Sequence, residues 1–414
     1  MDAAASVAAM GAQARAAARD LAVASSETKR AGLRAAAAAL RAGTDTIVAA
    51  NEADVAAASG LSEAMVDRLR LDAGRIEAMA AGVEAVAALD DPVGRVIDTR
   101  TPANGIELSR VRIPLGVIGM IYESRPNVTA DAAALAVMSG NAIILRGGSE
   151  AARSNAAIHE AMLSGLLSAE LPADVVQLVR TNDRAAVGAM LTASGLIDVI
   201  IPRGGKGLVA RVQEEARVPV LAHLDGNNHL YVHSAADPAM AQAIAVNGKL
   251  RRTGVCGSLE TLLIDRAFPQ PEMLVGALLD AGAILRGDTA AQRLDPRIGA
   301  ATDDDWDTEF LAPDLAVAIV DGLNAALAHI AKHGSGHTDA IVTDDAAVAE
   351  QFVARVDSAI VLHNASTQFA DGGEFGLGAE IGIATGRLHA RGPVALEGLT
   401  TYKWIGRGSG QIRA

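Results

Sequence analysis

The sequence of 414 residues predicts an α/β fold with two doubly wound domains, each built on a largely parallel sheet, and a small β arm. Three observations predict this fold. From Pro114 onward, short apolar runs alternate with helical stretches of roughly ten to eighteen residues. The first part of the chain is rich in Ala, with larger apolar residues at helical spacing. Residues 105–113 instead alternate apolar and polar side chains.

The N-terminal region is predicted to be helical because Leu33, Leu40 and Ile47 repeat at intervals that place them on one helix face. The pair Asp91-Pro92 ends this region, since the residue before a proline is disfavoured in a helix. The alternation over residues 105–113 then predicts an exposed strand, the start of a hairpin arm.

Two series of buried strands follow, and continuous apolar strands separated by helices imply parallel sheets covered on both faces. We place the boundary between the two domains near residues 223–229. The first series comprises residues 116–122, 142–146, 175–179, 199–201 and 218–222, and the second comprises 230–232, 260–265, 283–285, 315–320 and 340–342. Segments 371–382 and 399–413 are predicted to be loop and extended structure.

Composition limits the classes of function. A net charge of -13, with Asp and Glu spread along the chain, argues against general nucleic-acid binding, so an anionic substrate would need local Arg clusters. No apolar run reaches the ~18 residues that predict a membrane span, and residues 1–10 lack the pattern of a signal peptide. A single cysteine cannot form an internal disulfide, so we expect a cytoplasmic protein.

That cysteine, Cys256, is the candidate nucleophile. It lies between a helical stretch and the strand 259–265, with Gly254 and Gly257 close by and Arg251 and Arg252 upstream. Nearby cations lower the pKa of a thiol, and glycines let a ligand approach the backbone. The alternative is a small buried hydrophobic residue, the commoner fate of a free cysteine.

Two strand-to-helix corners could hold phosphate groups on backbone N–H groups. The first is formed by Arg146, Gly147, Gly148 and Ser149, and the second is formed by residues 203–207. Neither matches a GxGxxG motif or a P-loop, and each could equally be an ordinary corner.

Two further groups are open to two interpretations. Residues 123–127 follow the first sheet strand, where ligands of α/β proteins bind, but Asn127 also suits a helix N-cap. His329, His333 and His337 are spaced by four, yet no acidic or thiol partner completes a set of ligands. We therefore predict no metal site.

Taken together, these segments resemble the gamma-glutamyl phosphate reductases, the proline-biosynthesis branch of the aldehyde dehydrogenase superfamily. The order and spacing of several motifs carry the resemblance over nearly the whole chain. The motifs are Pro114–Thr129, Ile143–Gly148, Ile200–Gly205, Glu260–Leu263, Asn364–Thr367, Glu374–Glu380, Leu388–Gly392 and Leu399–Gly406.

The resemblance implies an aldehyde dehydrogenase-like architecture. It assigns residues 1–98, 114–224 and 363–388 to a cofactor-binding domain, 225–362 to a catalytic domain, and 99–113 with 389–414 to an oligomerisation arm. We therefore expect a homo-oligomer.

The resemblance also implies roles for individual residues. Cys256 would be the nucleophile and Asn127 an oxyanion donor. Arg146 would contact the adenosine ribose and phosphate, and Ser149, where NAD-preferring relatives carry Glu, would favour NADP. The remaining predicted contacts are Gly147, Gly148, Arg203, Gly204, Gly205 and Glu309 to the cofactor, and Arg125, Ser366 and Thr367 to the substrate, in loops expected to meet above Cys256.

The implied reaction is the NADPH-dependent reduction of L-glutamyl 5-phosphate to L-glutamate 5-semialdehyde through a cysteine thioester. Residues 221–229 lack the Glu that activates water in hydrolytic relatives, although Asp225 and His223 could stand in for it. Because an acyl phosphate is unstable, association with glutamate 5-kinase is a further hypothesis. The alternatives are a hydrolytic aldehyde dehydrogenase, a non-catalytic scaffold and a metal-dependent hydrolase built on His329 and His333.

Overall fold

The computed structural model describes residues 2–58, 60, 63–181 and 183–413, so the predicted domain limits at residues 1 and 414 lie outside the described residues. Contacts divide the chain into two compact units. Unit 1 comprises residues 1–222, 377–382 and 394–414, and unit 2 comprises residues 223–376 and 383–393. This division puts residues 363–376 and 383–388 with the cysteine-bearing unit, whereas we predicted them in the cofactor-binding domain.

Unit 1 is rich in helices, as the Ala-rich pattern predicts. Ser25 and Asp72 cap two of them, because their side chains accept hydrogen bonds from Thr28 N and Arg75 N. The helices are α1 Ala3–Leu21, α2 Ser26–Ala42, α3 Thr44–Ala57, α4 Glu63–Leu69, α5 Ala73–Ala88, α6 Val128–Met138, α7 Ala152–Ser168, α8 Ala185–Leu191 and α9 Lys206–Glu215.

Two sheets belong to unit 1. Strands β1 and β2 with the C-terminal β16 form an antiparallel sheet in the order β1-β2-β16, which is the predicted arm. A parallel sheet in the order β5-β4-β3-β6 forms the centre of the unit. The strands are β1 Val96–Arg100, β2 Glu107–Pro114, β3 Val117–Tyr122, β4 Ala142–Gly147, β5 Val176–Leu178, β6 Val199–Arg203 and β16 Thr400–Arg407.

Unit 2 contains a seven-stranded parallel sheet in the order β10-β9-β11-β8-β7-β12-β13 and a short pair, β14 with β15. The strands are β7 Asn228–Val232, β8 Leu259–Asp265, β9 Ile284–Gly287, β10 Gly299–Ala300, β11 Asp314–Val320, β12 Thr338–Val342, β13 Ile360–His363, β14 Ile383–Ala384 and β15 Gly392–Pro393. The helices are α10 Pro238–Leu250, α11 Pro271–Asp280, α12 Gly322–His333 and α13 Ala346–Arg355.

Both faces of the unit 2 sheet are covered, which explains why its strands are continuously apolar. Successive residues of a strand face opposite sides, so Leu262 and Ile264 lie in one hydrophobic core while Leu263 lies in the other. Every residue of β8 is buried as a result.

One predicted strand is wrong. Residues 218–222 contribute only an isolated parallel bridge beside β6, between Ile200 and Val220, because pairing is limited to the two bonds Ile200 N to Pro219 O and Leu221 N to Ile200 O. The strand β13 was not predicted, since only Ile360 of its four residues is fully buried and the apolar run is short. No helix among the described residues is long and apolar enough to span a bilayer.

Candidate active site

Cys256 lies in the loop that connects α10 to β8, is half-buried and is not in a disulfide. This loop is at the amino edge of the unit 2 sheet, beside the segments that lead into β7, β11 and β12. The cysteine therefore lies at the edge opposite to the carboxyl ends, where α/β proteins usually bind ligands.

The backbone of Cys256 is fixed by the segment that precedes β7. The Asn228 side chain donates to the carbonyl oxygens of Cys256 and Ser258, at 2.6 Å each. Gly226 packs so closely on the Cys256 carbonyl that a Cβ on Gly226 would lie 2.1 Å from the carbonyl oxygen. Glu309 holds Gly226 in turn, since its carboxylate accepts from Gly226 N at 3.0 Å. The predicted cofactor ligand Glu309 thus also supports the cysteine loop.

Two imidazoles lie beside the sulfur. His223, His337 and Cys256 each offer a donor atom, and these three atoms lie within 4.8 Å of one another. His337 is fully buried, and burial lowers the pKa of its imidazole to about 3, so the ring is neutral. A neutral imidazole beside a thiol can accept a hydrogen bond from it.

The two rings are held by their other nitrogens. His223 Nδ1 lies 2.7 Å from the carbonyl oxygen of Ile383, so this nitrogen carries the proton and donates it to the carbonyl. His337 Nδ1 hydrogen bonds Thr338 Oγ1 at 2.8 Å. In the His337 ring, Nε2 is the other nitrogen, and it has no hydrogen-bond partner among the described residues.

The predicted substrate residues Ser366 and Thr367 lie in unit 2 at a short helical turn beside the cysteine loop. Thr367 is buried, and its carbonyl oxygen would lie 3.2 Å from a Cβ on Gly257. The Ser366 hydroxyl accepts from Gln368 N at 3.3 Å and so caps its own turn. The structure therefore brings both residues to the loop, with Ser366 engaged in the cap.

Gln368, which the sequence analysis missed, joins this turn to the cysteine loop. Its amide donates to the carbonyl oxygens of Gly248 at 2.8 Å and Arg252 at 3.2 Å. A glutamine two residues after a Ser-Thr cap carries no local signal of such a role, because both of its partners are more than a hundred residues away in sequence.

A buried ion pair connects α10 to β8, the two elements on either side of the cysteine loop. Lys249 Nζ at the end of α10 lies 2.6 Å from Glu260 Oε2 in β8, and neither side chain is exposed. Burial raises the pKa of Glu260 to about 7 and lowers the pKa of Lys249, because desolvation disfavours both charges. The pair fixes the two ends of the segment that carries Cys256.

The predicted cofactor residues of unit 1 lie together at the carboxyl edge of its sheet. The register pairs Tyr122 with Gly147 on one side and with Arg203 on the other. Strand order reverses between β3 and β6, and this switch point is where open α/β sheets bind ligands. The sequence order alone predicted these residues as two separate corners.

Arg146 is the central cation of this edge. Only about 9% of it is exposed, its Nη1 donates to the Gly147 carbonyl at 3.0 Å, and its Nε has no partner among the described residues. Burial lowers the pKa of the guanidinium, and the nearby charges of Glu150 and Glu123 oppose that effect. Ser149 is exposed one residue before Glu150.

Arg184, a second cation, was not predicted. It is exposed at the start of α8 and close enough to Arg146 to lower the pKa of that guanidinium further. It follows the short strand β5, so a search for cations after each predicted strand could have identified it.

The two glycine pairs have different surroundings. A Cβ on Gly147 would lie 2.1 Å from Asn155 Nδ2, and a Cβ on Gly148 would lie 2.1 Å from Glu150 Oε1. The Cα of Gly205, at the N-cap of α9, faces open space, since a Cβ on it would meet nothing within 4 Å. Its N–H lies 3.3 Å from Glu123 Oε2.

Arg125 and Asn127 lie in the turn between β3 and α6 of unit 1. Asn127 occupies the N-cap position of α6, yet its side chain makes no capping bond and instead donates to Asp131 Oδ2 at 2.8 Å. One of its two amide N–H groups is therefore engaged with a carboxylate.

His329 and His333 form a separate cluster. Their ring centroids are 4.7 Å apart, and His329 packs edge-on against Trp306 and His229. Among the described residues, this cluster does not bring three metal-ligating atoms together, so a metal-dependent hydrolase has no support from it. His337, the third histidine of the run, lies instead beside Cys256.

Comparisons with known proteins agree with this architecture. Residues 1–303 match the model of the Aldehyde dehydrogenase family. The chain is 68% identical over its full length to a gamma-glutamyl phosphate reductase of Sphingopyxis alaskensis, of which 96% is covered. It is 67% identical over 97% of its length to one of Novosphingobium aromaticivorans, of which 95% is covered.

A solved structure gives the same result. The crystal structure of the gamma-glutamyl phosphate reductase of Thermotoga maritima matches with a TM-score of 0.96 and 40% identity, covering 99% of this chain and 100% of that one. These matches confirm the predicted fold class and the resemblance. The chain belongs to the aldehyde dehydrogenase family, in its gamma-glutamyl phosphate reductase branch.

Proposed function

We propose that this chain catalyses the NADPH-dependent reduction of L-glutamyl 5-phosphate to L-glutamate 5-semialdehyde and phosphate, through a thioester on Cys256. The observation that carries the proposal is the placement of Cys256: a half-buried thiol on a backbone held by Asn228 and Gly226, beside two imidazoles. High identity to named reductases over the whole chain supports the substrate.

In the proposed first step, the Cys256 sulfur attacks the acyl carbon of the substrate and the phosphate group leaves. The bonds that hold the loop matter here, because a nucleophile must be positioned within a few tenths of an ångström to react efficiently. The carbonyl oxygen becomes negative during the attack and needs hydrogen-bond donors. The candidates are the backbone N–H of Cys256 and the remaining amide N–H of Asn127.

When bound, the nicotinamide supplies the hydride that reduces the thioester. The chain's part is to bind the dinucleotide, and the residues at the carboxyl edge of the unit 1 sheet fit it: the orphaned Nε of Arg146 suits a phosphate oxygen, and there is open space at the Cα of Gly205. We propose that Arg146 and Arg184 favour NADPH over NADH, with Gly147, Gly148, Ser149, Arg203 and Gly204 lining the site and Glu309 contacting the nicotinamide ribose.

Substrate anchoring is proposed for Arg125, Ser366 and Thr367. Thr367 has the strongest support, because its buried Oγ1 has no partner among the described residues and its backbone packs on the cysteine loop. The free product would then close to a five-membered ring without help, since its amine and aldehyde are in easy reach of each other.

We also propose a homo-oligomer built through the arm. Strand β16 is an edge strand whose Tyr402 and Trp404 are about half exposed, with Arg110 stacked over both rings. Exposed aromatic residues on an edge strand are typical of an interface. We further propose that the protein is cytoplasmic and that it associates with glutamate 5-kinase.

The test follows nicotinamide reduction by absorbance with semialdehyde as substrate, with and without phosphate, in the wild type and in Cys256→Ser. We expect turnover that requires phosphate and falls at least about a thousandfold in the variant, as for loss of a covalent nucleophile. Equal turnover without phosphate would instead identify a hydrolytic aldehyde dehydrogenase. No turnover in the wild type would identify a scaffold.

A further inference from the structure

The cluster of His223, Cys256 and His337 has the composition of a metal site, although the proposed reaction requires no metal. Each residue precedes or begins a different segment at the amino edge of the unit 2 sheet, and their donor atoms lie within 4.8 Å of one another. In tetrahedral Zn²⁺ sites the metal lies roughly 2.0–2.3 Å from nitrogen and sulfur ligands, which places ligand atoms about 3.5 Å apart. Side-chain shifts of about 1 Å would close the cluster on a cation.

The surroundings of the two histidines match those of metal ligands. A ligating histidine donates its second ring nitrogen to a carbonyl or similar acceptor, which fixes the tautomer that binds metal. His223 Nδ1 donates to the Ile383 carbonyl, and His337 Nδ1 is engaged with Thr338 Oγ1. Both rings are therefore oriented before any metal binds.

A second observation points to a ligand. His337 is fully buried, and its Nε2 has no hydrogen-bond partner among the described residues. A buried polar atom without a hydrogen-bond partner destabilises the folded state. His337 Nε2 is such an atom beside the sulfur, and a bound cation would be its partner. His329 Nδ1 also lacks a hydrogen-bond partner among the described residues, but its ring packs against other rings and no three metal-ligating atoms meet there.

We propose that His223, Cys256 and His337 bind one borderline-soft divalent cation, of the class of Zn²⁺, and that this binding reversibly blocks the nucleophile. The thiol loses its proton to solvent, the sulfur and two nitrogens form coordinate bonds, and water fills the fourth position. Because the sulfur is coordinated, it cannot attack an acyl phosphate. The inhibitory role rests on the proposed function of Cys256, whereas the metal site does not.

Direct binding provides the test. Metal-stripped protein is titrated with Co²⁺, and absorption is recorded in the near ultraviolet, where thiolate-to-cobalt charge transfer appears, and in the visible; Zn²⁺ stoichiometry is measured by equilibrium dialysis. We expect one Zn²⁺ per chain in the wild type. Cys256→Ser should lose the charge-transfer band, and His223→Gln and His337→Gln should each weaken Zn²⁺ binding at least about tenfold. His329→Gln is the matched control and should bind as the wild type does.

The outcomes are distinguishable. No stoichiometric Zn²⁺ binding, a charge-transfer band that survives in Cys256→Ser, or equal affinity in both His223→Gln and the control would each overturn the metal proposal. His223 is half-buried, so its variant remains informative if His337→Gln fails to fold. The proposed function of Cys256 is tested separately. If metal-free Cys256→Ser keeps full turnover in the phosphate-dependent assay, the proposed function fails whatever the metal titration shows.

Discussion

Gly226 is the residue on which the position of Cys256 depends most directly. Its Cα packs on the cysteine backbone with no room for a side chain, and its N–H is held by Glu309. The sequence analysis identified residues 223–229, which include Gly226, as the boundary between the two domains. The contact of Gly226 with a residue thirty positions away could not be read from local pattern, since it depends on the pairing of β7 with β8.

We expect Gly226→Ala to lower turnover at least about a hundredfold, because a displaced loop misplaces the nucleophile. Cofactor affinity should change less than turnover, since Glu309 is the one predicted cofactor contact that touches Gly226 and the contacts of unit 1 are untouched. Steady-state kinetics and fluorescence titration with NADPH measure the two effects. Gly276→Ala in α11 is the control, because nothing lies within 4 Å of a Cβ there. Normal turnover of Gly226→Ala would show that the contact does not position the sulfur.

The proposed preference for NADPH is assigned to single side chains. The exposed Ser149 leaves room for an additional phosphate near Arg146 and Arg184. We expect Ser149→Glu to raise the KM for NADPH at least about tenfold with little effect on that for NADH, through charge repulsion. Ser149→Gln separates charge from size and should keep most of the preference for NADPH. If both substitutions act alike, the charge argument fails.

At the scale of elements, the Ala-rich helices of unit 1 illustrate what pattern predicts well. Only 2% of the residues are aromatic, so helices must approach closely to bury surface. Helices α2 and α7 do so where a Cβ on Gly165 would lie 2.1 Å from the backbone N of Ala36. Helical spacing predicted these helices, whereas their pairing depends on contacts distant in sequence.

The strands show where prediction from pattern stops. Continuous apolar runs predicted nine of the parallel strands, because strands buried on both faces leave a strong signal. Residues 218–222 are also apolar and bury side chains, yet they pair with β6 only at Ile200 and form no regular strand. Apolarity therefore predicts burial, and sheet order decides which buried segment becomes a strand.

The ion pair between α10 and β8 is expected to stabilise the cysteine loop. Removing one charge of a buried pair leaves the other uncompensated, which costs about 3 to 5 kcal/mol. We expect Lys249→Met to lower the free energy of unfolding by this amount, measured with urea and circular dichroism. The double variant Lys249→Met with Glu260→Gln should recover much of the loss, because no lone charge remains. A double variant as unstable as the single one would contradict this explanation.

At the scale of the whole molecule, the sequence predicted both parallel sheets and the antiparallel arm. It also predicted most of the candidate residues at the two sheet edges. It did not predict that the cysteine lies at the amino edge with His337, because the two are separated by eighty residues and meet only through the order of β8, β7 and β12. The family resemblance implied roles for individual residues, whereas the order of the strands determines which residues are neighbours.

Acid stability reports on the buried histidines of unit 2. Burial, with help from His229 and His333, lowers the pKa of His329 to about 3, below its usual 6.5. Between these values the unfolded chain binds a proton at His329 that the folded chain does not, so stability falls as pH falls from about 6.5 towards 3. We expect His329→Gln to reduce this slope by up to about 1.4 kcal/mol per pH unit. The slopes above pH 7.5 should be equal, and equal slopes below pH 6 would rule out this role.

The most direct measurement detects the acyl group on Cys256 itself. Enzyme is mixed with semialdehyde and NADP without phosphate, quenched rapidly in acid, and digested for mass spectrometry. We expect a burst of one NADPH per active chain and one glutamyl group on the peptide that contains Cys256, which added phosphate then removes. A full burst with no modification of that peptide would contradict the assignment of Cys256 as the nucleophile.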